Sequence, residues 1–167
     1  MKKLLALTAA FTIYFLTASA QNTDFVEGLR SFDVKVYDKS FALLMPYAEQ
    51  GNCMAQFVIG FQYQNGLGAP ADLVQARYWL ERAADQKQAM AMGPLAANFF
   101  ANDALHHRDN LIHAYLWSVL ASEYEPSQKG TSTRFVIRAY LKKEELEAAE
   151  KLIREYEARW SNQENCN

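Results

Sequence analysis

The 167-residue sequence has almost no run in which apolar and polar residues alternate, so it offers little from which to build a sheet. Beyond the first twenty residues, no stretch is apolar enough to span a membrane. Cysteine is confined to Cys53 and Cys166, and histidine to His106, His107 and His113. Adjacent His106 and His107 point different ways, and only Asp103 and Asp109 stand near them. They read as polar loop residues, and no metal site is expected. The nucleophile-elbow, phosphate-loop and dinucleotide fingerprints are missing. Gly66-x-Gly68 lacks a third glycine and a preceding strand, so it reads as a turn. The carboxylates fall on helix surfaces beside basic residues, without a like-charged pair to tune one as an acid or base. Cys53 falls among repeat-core positions and is not read as a nucleophile. No catalytic residue and no cofactor is expected.

What is present begins with a leader. Lys2 and Lys3 precede an apolar run from Leu4 to Leu16 that ends in Ala18-Ser19-Ala20, the pattern of a signal sequence cleaved after Ala20. No cysteine stands at the cleavage point, which argues against a lipid anchor. Cleavage leaves residues 21–167, 147 in all, enough for one domain with its own core. It also removes two lysines and no acids, taking the formal charge from −2 to −4. A mildly acidic chain argues against nucleic acid, whose phosphates need Lys and Arg, and gives no support for binding anionic membranes. The expected location is the periplasm or the secreted fraction, without stable membrane insertion. There, two cysteines permit one bridge. The alternative is a buried thiol at Cys53 and a second thiol on a frayed tail.

Apolar residues recur at three and four, predicting helices over 36–50, 53–65, 72–85, 90–101, 110–123, 132–140 and 143–160, after a polar lead-in at 21–35. Gly51, the Gly66–Pro70 stretch, Asn102-Asp103, Pro126 and Gly130 break them. The helices repeat in pairs. Residues 48–56 lie against 84–92 at an offset of 36, which carries Gly60 onto Ala96 and Tyr63 onto Phe99. Further on the offset becomes 38, pairing Ala76 with Ala114, Trp79 with Trp117 and Ala83 with Ala121, as an insertion near His106–Arg108 requires. Such a period, with two helices per unit, marks a helical solenoid.

The series Ala55, Ile59-Gly60, Tyr63, Gly66-Leu67-Gly68, Asp72, Ala76, Trp79 and Ala83-Ala84 resembles a Sel1-like repeat, a relative of the tetratricopeptide repeat. Units are expected at 48–84 and, degenerate, at 85–121, inside a repeat domain spanning 36–161 with closing helices over 132–161 and a tail at 162–167. In the second unit Lys87 replaces Gly51, and Pro94 falls inside the first helix, which then either starts late or kinks. The resemblance implies an all-α, right-handed superhelix of about seven helices that acts as a scaffold for protein or peptide partners, often in bacterial envelopes. Carried over, it places Met54, Phe57, Phe61, Gln64, Met90, Ala97 and Phe100 on the concave face; Phe57 and Phe61 alternatively pack on the preceding helix. The last helix reads as a cap, with Glu147–Lys151, Glu150–Arg154 and Glu155–Arg159 as surface pairs. The alternative roles are a secretion-system accessory or immunity-type inhibitor, or an envelope hydrolase or metal-dependent enzyme.

Overall fold

The computed structural model describes residues 23–101, 107–125, 131–163 and 166, without the side chains of Thr131 and Ser132. The expected leader and its cleavage point, the turn holding Asn102, Asp103 and His106, and the turn with Pro126 and Gly130 lie outside the described residues. Those residues contain eight helical segments and no strand. A first helix, α1, covers 23–33. It is followed by α2 (Tyr37–Glu49), α3 (Cys53–Asn65), α4 (Leu73–Asp85), α5 (Ala89–Ala101), α6 (Arg108–Tyr124), α7 (Thr131–Tyr140) and α8 (Lys143–Trp160). Residues 21–35 are therefore not simply a polar lead-in. Phe25, Leu29 and Phe32 share one face of α1 and pack on the core, and Gly28 sits so close to α2 that a Cβ would lie 2.7 Å from Leu44.

Each helix from α2 to α6 packs on the next, and α3 also touches α5. This is the connectivity of stacked αα-hairpins. Two kinds of joint hold it. Within the pair α3–α4, Gly60 brings the backbones together, since a Cβ there would lie 2.8 Å from Leu80 Cγ; Ile59, Leu80 and Ala83 are fully buried around it. Between pairs, a buried carboxamide makes the joint. Gln62 Nε2 donates to the Tyr37 carbonyl at 2.9 Å, and 36 residues on Asn98 Nδ2 donates to the Leu73 carbonyl at 3.0 Å. Both acceptors are the first residues of their helices.

Local chemistry ends the helices where the packing needs them to end. Gly51, Gly66, Lys35 and Lys87 all adopt left-handed φ. The amides of Val36, Asn52, Leu67 and Gln88 then reach back five residues to Ser31, Tyr47, Gln62 and Ala83. Asn52 caps α3 through Ala55 N, and Asp72 caps α4 through Val74 N and Gln75 N. Each such cap contributes about 1 kcal/mol. The helix α5 starts at Ala89 and runs through Pro94, so the late start is overturned.

The C-terminal part straps the array. Tyr156 of α8 meets Trp117 of α6 edge-on and Trp160 meets it at a tilt, and the buried Trp160 donates to the Asp85 carbonyl at 3.2 Å. Lys87 occupies the position where the previous turn has Gly51, and its ammonium reaches the carbonyls of Trp160 and Gln163 at 3.4 Å each. Cations near a helix C-terminus are favoured there, which offsets the strain of a side chain at φ 65°. The tail ends in a Cys53–Cys166 disulfide with Cα atoms 6.3 Å apart. At the other end of α8, Arg108 forks onto Glu145 (Nε–Oε1 2.6 Å) and donates to the Tyr140 carbonyl at 2.9 Å. The surface pairs differ from those expected. Glu147 pairs with Lys143 at 3.9 Å, Glu155 with Lys151 at 3.8 Å, and Arg159 with Asp85 at 3.7 Å. Long exposed side chains choose among near-equal partners, because each such pair contributes only about 0.3–0.5 kcal/mol.

Three outcomes are expected. Gly68→Ala lowers the melting temperature more than Gly51→Ala: both have positive φ, costing about 1–2 kcal/mol, but only at Gly68 would the new Cβ overlap the Tyr37 carbonyl. Cys166→Ser opens a loop with a sequence separation of 113 residues, and denaturant titration should show about 2–5 kcal/mol less stability. The Arg108 guanidinium, with the Lys142 amide, holds the Glu145 carboxyl down at about 2, from 4.5. Its stabilisation is complete above about pH 4.5 and is lost as pH falls toward about 2. Acid titration of Glu145→Gln should therefore show a shallower loss of stability over that interval than the parent.

Candidate interaction surface

The seven residues expected on the concave side separate into two groups. Phe57 is buried, and Phe61 lies 6.1 Å from it and edge-on to Phe32 at 5.8 Å. The ring that meets Phe61 thus comes from α1, where the sequence suggested only the 36–50 helix as a cover. Met54 is half-buried, with its sulfur 4.0 Å from Gln88 Nε2, and Gln64 is half-buried. The expected residues on α3 are therefore largely covered. On α5 the residues are open: Met90 and Ala97 are exposed, and Phe100 is half-buried beside Tyr140 of α7 at 6.5 Å. Tyr140 is itself 49% exposed. It was not among the expected residues, although its place at the end of the next unit's first helix mirrors that of Phe100.

A second constellation also escaped the sequence reading. Phe41 meets Tyr63 edge-on at 5.2 Å. Thirty-six residues on, the same pair is Arg77 and Phe99, with the guanidinium 4.0 Å from the ring centre. His113 stacks on Phe99 at 5.1 Å and 19°, and Arg77 Nε donates to Asn98 Oδ1 at 3.1 Å. The offset that pairs Tyr63 with Phe99 was visible, but the change from an aromatic to a guanidinium at Arg77 hid the equivalence.

Burial pushes the His113 imidazole below its ordinary value, against the pull of Asp109. Burial likewise raises Glu81, opposed by Arg77, and lowers Arg77. These groups are used for packing, and none forms a nucleophile–base pair with another. A shallow cleft of about 360 Å³ lies beside His113, between Asp109 and Ile112 of α6 and Lys151, Leu152 and Glu155 of α8. Its charges already answer one another, Lys151 with Glu155 at 3.8 Å. Among the described residues no three His, Cys, Asp or Glu side chains are grouped to hold a metal ion, and no helix is long and apolar enough to cross a membrane.

Comparison with known proteins agrees with this geometry. The Sel1 repeat family model matches residues 53–88, which take in α3, α4 and the turn that follows. No curated protein matches the sequence. Among solved structures, the chain is similar to a protective antigen present in uropathogenic Escherichia coli strains that displays an SLR fold. The TM-score is 0.68 and the identity 22% over 88% of this chain. This chain spans 33% of that protein's length, and at such identity the likeness bears on the fold alone. With a matching repeat at 53–88, the same joints repeated 36 residues on, and that fold around them, the chain contains a Sel1 repeat and carries the SLR type of helical array around it.

Proposed function

We propose that this chain is a protein-interaction scaffold of the bacterial envelope or secreted fraction, and that it holds a protein or peptide on the open half of its concave side. Sel1-like repeats generally serve as scaffolds for protein partners. The observation that carries the assignment here is the largely open apolar strip of Met90, Ala97 and Phe100 on α5, with Tyr140 of α7 beside Phe100. Apolar and aromatic surface of this kind, beside a filled and rigid neighbour, is what a partner's side chains need as an anchor. Export is supported by the leader pattern at 1–20 and by the bonded cysteine pair, which persists in oxidising compartments. The ionisable groups of Arg77, Glu81 and His113 give the enzymatic alternatives no support.

A photo-crosslinking residue at Ala97 should capture a discrete protein from envelope extract, while the same residue at Tyr78, on the outer helix α4, should not. Ala97→Glu places a carboxylate on the strip without disturbing the core, and should lower that capture by about tenfold or more with unchanged circular dichroism. Equal capture by the parent and Ala97→Glu would remove the strip from the binding surface.

A further inference from the structure

A net charge of −2 conceals a local excess of the opposite sign. From Pro126 to Lys143 the sequence has five cations, Lys129, Arg134, Arg138, Lys142 and Lys143, and no carboxylate. The helix α7 lies inside this run, at the end of the array. Ile137 is fully buried against the rest of the protein, and α7 packs chiefly on α6. Opposite Ile137 the helix turns Phe135 (63% exposed), Val136 (50%) and Ala139 outward. Arg138 is exposed, and the guanidinium of Arg134 stands 5.3 Å from the Phe135 ring. Lys142 and Lys143 follow, exposed, in the next turn. Large apolar residues pointing outward on a short ridge, flanked by cations, have no core reason to be there.

We propose that this outer face of α7 docks the protein on anionic membrane surfaces. The face is distinct from the concave strip, sharing only the helix, so the two readings stand or fall separately. The ridge is one face of a ten-residue helix. It presents groups at two depths: a phenyl ring and a valine that can enter the acyl boundary, and guanidinium and ammonium groups on stems long enough to stay with phosphate headgroups. Charge complementarity fixes the sign of the surface. Each basic residue near an anionic bilayer adds attraction that the rest of this acidic chain cannot supply.

The test is partitioning of residues 21–167, which lack the apolar leader, onto vesicles of equal parts phosphatidylglycerol and phosphatidylcholine, with phosphatidylcholine vesicles alongside. Binding is expected to the anionic vesicles only, weakening as salt rises from ~0.01 M to ~0.15 M and the screening length falls from ~30 Å to ~8 Å. Arg138→Gln should weaken partitioning about fivefold, and Phe135→Ser about tenfold or more. Both positions are exposed, so helicity should hold. Tyr78→Ser, on the exposed face of α4, should bind as the parent does. Equal binding to both vesicle types, no binding to either, or indifference to Arg138→Gln and Phe135→Ser would each overturn the proposal. Capture of poly-glutamate through these residues, with no vesicle binding, would assign the face to an acidic polypeptide instead.

Discussion

One hydrogen bond, made twice, sets the translation on which the whole array depends. A carboxamide buried in the last turn of one helix donates to a carbonyl at the very start of the preceding helix, from Gln62 to Tyr37 and from Asn98 to Leu73. A helix's own carbonyls are taken up by its amides, so this bond uses the second lone pair of an oxygen already engaged. In a buried joint its direction constrains more than its strength, because a shift of one unit against the next would strand the amide without a partner. The glycine contact at Gly60 fixes the distance inside a pair; the carboxamide fixes the next pair upon it.

With that translation fixed, the distribution of aromatic rings decides which surfaces stay open. On the N-terminal side Phe32 of α1 closes over Phe61, and Phe25 packs on Tyr47. On the C-terminal side α8 drapes over α6, burying Trp160 among Trp117, Tyr124 and Tyr156. Neither cover closes over Ala97 of α5 or over Phe135 and Tyr140 of α7, which stay exposed.

The helices were legible to within about two residues because three-and-four periodicity and glycine or cap signals coincided at Gly51, Asn52, Gly66 and Asp72. The repeat was legible because Trp79 and Trp117 and the flanking alanines survive in both units. The helix α1 was not, although Phe25, Leu29 and Phe32 have helical spacing. Polar residues between them, and the absence of an equivalent elsewhere, concealed a segment whose structure depends on its contacts with α2 and α3. Phe57 and Phe61 could not be placed for the same reason: the ring edge-on to Phe61 lies about thirty residues earlier. At α7, whole-chain charge averages away a locally basic segment, which is why composition alone did not single it out.

The covalent tie between Cys53 and Cys166 has a mechanical consequence. The bridge joins the first residue of α3 to a point beyond the end of α8, so tension applied between the segment before Cys53 and the segment at Cys166 passes across the bridge. The whole span from α3 to α8 lies off that line of force. Repeat arrays commonly peel apart from their ends; this one is looped so that a tug on the segment before Cys53 strains only α1 and α2 and leaves α3 to α8 unloaded.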